Sequence, residues 1–147
     1  ADGRFSDVLH LSYPSSASRN RLDPSTLPDP SHIYPQMQGR LVFKHAATRM
    51  SESVTAILTQ EGFTTDDIDL MIPHQANLRI SEMVQRKLTL RDDQVFNNIQ
   101  KYGNTTACSI PLAVDEARKE GRLKQGDLLC LVAFGAGFTW GSALIRV

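Results

Sequence analysis

With 147 residues, and 16 Lys plus Arg balanced by 16 Asp plus Glu, the chain is long enough for one domain with a real core. It has no net field that would favour nucleic acid or a membrane surface, so any charged partner must be met by a local patch. The two cysteines, Cys108 and Cys130, have no metal-ligand spacing and lie in apolar sequence. That usage reads as reduced thiols and a cytoplasmic setting, and no secretory leader pattern, membrane-length apolar run or internal repeat accompanies it.

In chain order, residues 5–13 alternate between apolar and polar and form a candidate edge strand. Five prolines follow, Pro14, Pro24, Pro28, Pro30 and Pro35, which exclude regular structure over most of that stretch. A loop of this length is either functional, disordered, or laid along a surface supplied by something else. Residues 41–60 carry Phe43, Ala47, Met50, Val54 and Ile57 at helical spacing, with Gly62 as the stop. Residues 68–72 read as a strand, apolar on both faces apart from Asp69, as central parallel strands tend to be. A second helix is expected over 77–88 with Ile80, Val84 and Leu88 as its apolar stripe, then a short strand over 95–99. The turn at 102–106 leads into a third helix over 107–119, where Pro111 is tolerated because it lies near the first turn. Residues 128–134 are a continuous apolar run suited to a sheet centre. Gly135-Ala136-Gly137 is a hinge, and 139–147 returns antiparallel. The alternation predicts an α/β fold with a mostly parallel sheet, an antiparallel last strand and flanking helices. The first helix lacks a clear preceding strand, so the layered sheet is expected to miss part of its opening.

Three loops are expected at carboxyl ends of strands: 73–77, 102–106 and 135–138. These ends share one edge in a parallel sheet, where open α/β folds hold their ligands. His74, Asn104 and the backbone around Ala136 would then supply hydrogen-bond donors suited to an enolate or a tetrahedral oxyanion. Each residue also has an ordinary reading. His74 can be a surface or satisfied core histidine, and Asn104 a turn residue or helix N-cap. Gly135–Gly137 can be a plain hairpin turn, and Cys108 and Cys130 packing residues. Lys44, Arg79, Arg86 and Lys87 are either solvated helix faces or a patch for phosphate or an acidic protein. His10, His32 and His45 carry no spacing signal.

Three segments, taken together, match something specific. They are Pro73-His74-Gln75-Ala76-Asn77-Leu78-Arg79-Ile80, Tyr102-Gly103-Asn104-Thr105-Thr106-Ala107 and Phe134-Gly135-Ala136-Gly137-Phe138-Thr139-Trp140-Gly141. In order and spacing, with Met37-Gln38-Gly39 leading to Lys44, they resemble the C-terminal half of β-ketoacyl-[acyl carrier protein] synthase III, a thiolase-like fold. The resemblance covers nearly all of 37–147, which would be the catalytic domain, with 1–36 as a Pro/Ser-rich connecting segment. It implies decarboxylative condensation of an acyl-CoA with malonyl-[acyl carrier protein], in fatty acid or polyketide synthesis, without a cofactor. His74 and Asn104 would bind the malonyl thioester carbonyl and stabilise its enolate. A backbone N–H at Ala136 would join the oxyanion hole, Phe134 would wall the site and Asn77 would hold the pantetheine arm. Lys44, Arg79, Arg86 and Lys87 would receive the acidic carrier protein.

The family's nucleophilic cysteine belongs to an N-terminal half with no counterpart among these residues, and neither Cys108 nor Cys130 matches it. The implied partners are therefore the carrier protein, a coenzyme A thioester, the cysteine-bearing half and, when complete, a second copy; nucleic acid and membrane are not among them. Ala136 stands where a glycine is common, and Cys108 where a smaller residue is usual. Two other readings stay open: a ketosynthase III-like acyltransferase or thioester hydrolase, and a non-catalytic carrier-binding module.

Overall fold

The computed structural model describes residues 1–12 and 34–147. The proline-rich stretch falls outside them, Pro35 excepted, as does His32. The chain divides into two compact units: Ala1–Lys44 with Gly135–Thr139, and His45–Phe134 with Trp140–Val147.

In the first unit, Asp2 accepts a hydrogen bond from the Arg4 backbone and caps a 3-10 turn over Gly3–Phe5. The candidate strand over 5–13 is therefore shorter than its alternation suggests, because this cap draws Phe5 into the turn. What remains is β1 (Leu9–His10), antiparallel to β2 (Gln36–Met37), with Leu9 opposite Met37. Asp2 and Phe138 exchange backbone hydrogen bonds of 2.7 and 2.8 Å, and the Phe5 and Phe138 rings stack with centroids 5.0 Å apart. The glycine loop is thereby tied to the first residues of the chain. Gly137 has φ +133°, and a Cβ there would lie 2.9 Å from Thr139 Cγ2 and 3.1 Å from its backbone nitrogen. Only glycine fits without displacing backbone.

α1 (Gly39–Glu61) runs from the first unit into the second. Its buried stripe is Val42, Ala46, Ala47, Met50, Val54 and Leu58. That is one residue off the expected stripe at its ends: Phe43 and Ile57 are only half-buried, since a 23-residue helix at 3.6 residues per turn drifts from any fixed choice of spacing. The helix stops at Gly62, whose φ of +75° lets the Phe63 N–H return to the Leu58 carbonyl.

The second unit is built on a three-stranded sheet in the order β3 (Leu70–Pro73), β4 (Leu128–Gly135), β5 (Thr139–Arg146). β3 and β4 are parallel, with Leu70 opposite Leu129 and Pro73 opposite Val132. β5 follows β4 after a three-residue connection and returns antiparallel, so the sheet is mixed. The strand expected over 95–99 is reduced to one parallel bridge between Met71 and Val95, plus a bond from the Phe96 N–H to the Met71 carbonyl. Asn98 then leaves the extended region and α3 (Ile99–Tyr102) begins.

α2 (Leu78–Leu88) buries Ile80, Val84 and Leu88 as its spacing requires. α4 (Ser109–Lys119) follows a 3-10 turn over Thr106–Cys108, and Pro111 lies in its first turn. It packs on β3 through Ala113 and Ala117, against Leu70, Ile72, Phe96, Leu123 and Leu129. Two alanines on the contact face let the helix axis approach the sheet closely. Among the described residues, no helix is long and apolar enough to cross a membrane.

Gln94, 1 % exposed, links pieces of this unit that the hydrophobic pattern does not connect. Its amide donates to the Thr65 and Ile68 carbonyls at 3.0 and 2.6 Å, and its oxygen accepts from the Arg91 N–H. Gln94→Ala strands three buried or half-buried backbone groups. The expected cost is about 2–4 kcal/mol of unfolding free energy, read by urea denaturation with an unchanged slope.

Candidate active site

β3 sets the position of His74. The ladder to β4 continues one residue past Pro73, where the His74 N–H donates to the Val132 carbonyl at 2.8 Å. The backbone then turns at once, and the Ala76 N–H bonds the His74 carbonyl. Asn77 ends the turn as N-cap of α2, its side-chain oxygen accepting from the Arg79 N–H at 3.0 Å.

Gln75 locks this loop from inside. It is 3 % exposed, donates to the Pro73 carbonyl at 2.7 Å, and accepts from the backbone N–H groups of Asn98 and Ile99 at 3.0 and 3.2 Å. The two accepted groups are free donors at the start of α3, so Gln75 caps that helix from a distant loop. Asn98 in turn donates to Glu116 of α4, whose other oxygen receives Lys101 at 2.5 Å. Hydrogen bonds from Lys101, then Asn98, hold the Glu116 carboxyl below its ordinary range.

The His74 ring is half-buried, and its Nδ1 lies 2.6 Å from Ser109 Oγ at the start of α4. The same oxygen accepts the Gln75 N–H at 3.3 Å. Burial pushes the imidazole below its ordinary value of 6.5, so it is neutral at neutral pH. A neutral imidazole held by one nitrogen has the other left to donate or accept.

Asn104 is exposed in the loop between α3 and α4, so its loop follows a helix and not the end of a strand as its spacing suggested. Its side-chain oxygen accepts the Thr106 N–H at 2.9 Å, where Thr106 sits at φ +53°. This is the turn role open to it, and it orients the carboxamide with its NH2 group away from that bond. Five residues on, the same segment delivers Ser109 to His74. The loop bearing Asn104 and the helix start holding His74 are therefore one piece of structure.

Phe134 is buried near the end of β4, and Ala136 is exposed in the first unit with its carbonyl accepting from Thr139 Oγ1. Arg79, Arg86 and Lys87 are exposed on α2, and Lys44 is exposed on α1. Arg86 and Lys87 occupy the last turn, where the helix dipole favours cations. Arg79 lies in the first turn, against the dipole, and makes no ion pair among the described residues. The cysteines differ from each other. Cys130 is buried in β4 and its thiol is pushed up to about 12 by desolvation, whereas Cys108 is exposed in the 3-10 turn, not in apolar surroundings. Cys108 ends the turn ahead of α4, whose buried residues are Ser109, Ala113 and Ala117. No cluster of His, Cys, Asp or Glu suited to a metal occurs among the described residues.

Sequence reasoning passed over Ser109 and gave Gln75 no role of its own. Ser109 lies in none of the matched motifs and Gln75 lies in one only as a neighbour of His74, and each matters through a partner more than twenty positions away. The only signal was the placing of a polar side chain beside a strand end or at a helix start.

The fold is that of the thiolase-like α/β class. The solved structure of 3-oxoacyl-[acyl-carrier-protein] synthase III from Aquifex aeolicus superposes with a TM-score of 0.84 at 40% identity, over 100% of this chain and 42% of that one. The synthase III from Thermus thermophilus gives 0.84 at 39% identity, over 100% of this chain and 44% of that one. The sequence profile of the 3-oxoacyl-[acyl-carrier-protein] synthase III C-terminal family matches residues 58–147, and the chain belongs to that family. β-Ketoacyl-[acyl-carrier-protein] synthase III of Desulfotalea psychrophila is 46% identical over 147 residues, 99% of this chain and 44% of that protein. The Campylobacter jejuni protein of the same name is 55% identical over 111 residues, 76% of this chain and 34% of that protein. The chain thus spans less than half the length of these curated relatives.

Two measurements check the site. A ring NMR titration should place the His74 midpoint below 6.5. As pH falls through that value the unfolded chain takes up the proton first, so His74 lowers stability toward acid pH, and His74→Gln should flatten that part of the stability profile. Alkylation of the native protein near pH 8 should modify Cys108 and spare Cys130, as counted by intact mass and peptide mapping.

Proposed function

We propose that the chain is the part of a ketosynthase III-type enzyme that activates the malonyl thioester for decarboxylative condensation. The observation that carries this reading is the desolvated His74 ring, held through Nδ1 by Ser109, which lies five residues after Asn104 on the same segment. In the proposed reaction, a cysteine thiolate outside this chain attacks the acyl-CoA carbonyl and expels the coenzyme A thiolate. Malonyl-[acyl carrier protein] then loses carbon dioxide. The electron pair left behind becomes an enolate, whose oxygen takes hydrogen bonds from His74 Nε2–H and Asn104 Nδ2–H. The enolate carbon attacks the acyl-enzyme carbonyl, the cysteine thiolate leaves, and a 3-oxoacyl carrier thioester results.

Neutral imidazole suits this step. It stabilises developing negative charge by hydrogen bonding and need not shed a proton to do so. The reading gives Ala136 the backbone donor for the acyl-enzyme oxyanion, Phe134 the site wall and Asn77 a contact to pantetheine. Lys44, Arg79, Arg86 and Lys87 receive the acidic carrier, in a cytoplasmic enzyme that dimerises when complete and uses no cofactor. The exposed Arg79, set against the dipole of its own helix, supports the docking role. It also favours one second reading, a carrier-binding module without catalysis.

The two part cleanly in an assay of the chain with malonyl-[acyl carrier protein] and acetyl-CoA. The expected result is release of carbon dioxide without a 3-oxoacyl product, falling about 10²–10³-fold in His74→Ala or Asn104→Ala. Condensation by the chain alone would refute its need for an outside cysteine. Carrier binding lost in Arg79→Glu, with His74→Ala silent and no carbon dioxide released, would establish the binding module.

A further inference from the structure

Ser109 opens α4 but does not serve as its cap. The N-cap position is Cys108, which makes no side-chain capping bond, and Ser109 Oγ turns toward the β3 loop. The serine is 2 % exposed, so bulk solvent does not reach it. A hydroxyl has one proton to give and two lone pairs to fill. The Gln75 N–H, 3.3 Å away, can only donate and therefore occupies a lone pair. Among the described residues, the one acceptor within reach of the hydroxyl proton is His74 Nδ1, at 2.6 Å. If that nitrogen carried the ring proton, both neighbours of Oγ would be donors and the serine proton would be buried without an acceptor, an arrangement folded proteins avoid.

We infer that Ser109 is a positioning residue that donates to His74 Nδ1 and fixes the imidazole as the tautomer with its proton on Nε2. The nitrogen across the ring from Ser109 is then a donor, ready for a substrate oxygen. Gln75 takes part from the other side, since its backbone N–H fills the competing lone pair and its buried side chain keeps that backbone in place. The tautomer follows from the geometry; what the Nε2 proton meets rests on the ketosynthase reading above.

The test separates the two. In the 15N-labelled chain above about pH 7.5, where the ring is neutral, long-range 15N–1H spectra should show His74 protonated on Nε2 and bare on Nδ1. Ser109→Ala should lose this single tautomer and give a mixture, and Ser109→Thr, which keeps the hydroxyl, should restore it. A proton on Nδ1 in the unsubstituted protein overturns the inference, and so does an unchanged tautomer in a folded Ser109→Ala. Should Ser109→Ala fail to fold, the unsubstituted spectrum still decides. In the carbon dioxide assay, Ser109→Ala should lower kcat about tenfold with KM unchanged, and Ser109→Thr should recover it. A raised KM with kcat intact counts against positioning. If the unsubstituted chain releases no carbon dioxide, the ketosynthase reading fails, and the ring spectrum, which needs no substrate, still tests Ser109.

Discussion

A single buried hydroxyl meets two demands at once. Ser109 Oγ accepts the Gln75 N–H and lies against His74 Nδ1, so it joins the loop after β3 to the start of α4. Everything that places it there is apolar packing. α4 lies on β3 through Ala113 and Ala117, and β3 is held by its parallel ladder to β4. A shift of α4 by one turn would move Ser109 by about 5.4 Å along the helix axis and break both contacts. The geometry around His74 is in this sense a by-product of how two alanines let a helix lie on a sheet.

Around that contact, buried polar groups take over where hydrophobic patterning is silent. Gln75 satisfies the first N–H groups of α3, Asn98 carries the connection to Glu116, and Gln94 closes backbone groups of the 65–68 turn. Each of these side chains is almost fully buried and bonds backbone or another network member. Such networks are costly when incomplete and rigid when complete. They give the His74 loop a fixed form without lengthening β3.

The electrostatics follow the same economy. Burial, with no nearby carboxylate invoked, keeps the imidazole neutral. The nearby ion pair of Lys101 with Glu116 connects to Gln75 only through Asn98. The exposed cations on α2 are of two kinds. Arg86 and Lys87 are where the helix dipole favours them, whereas Arg79 lies in the first turn, where it does not.

The α/β class, the three principal helices, the β3 and β4 strands and the placing of His74 just past a strand end were legible in the residues. Periodicity and turn residues report local burial directly, and three spaced motifs made the family recognisable. The strand at 95–99 and the apolar setting of Cys108 were misread because both depend on where the chain turns next, at Asn98 and through the Thr106–Cys108 turn. Periodicity does not distinguish Ser109 from any serine near a helix start, and the motif that contains Gln75 does not say which groups its side chain holds. Sequence determines which side chains are polar and which strand and helix they adjoin. Only tertiary packing decides that a hydroxyl 35 positions from His74 is its partner, because a hydrogen bond depends on distance through space and the chain's order encodes only distance along itself.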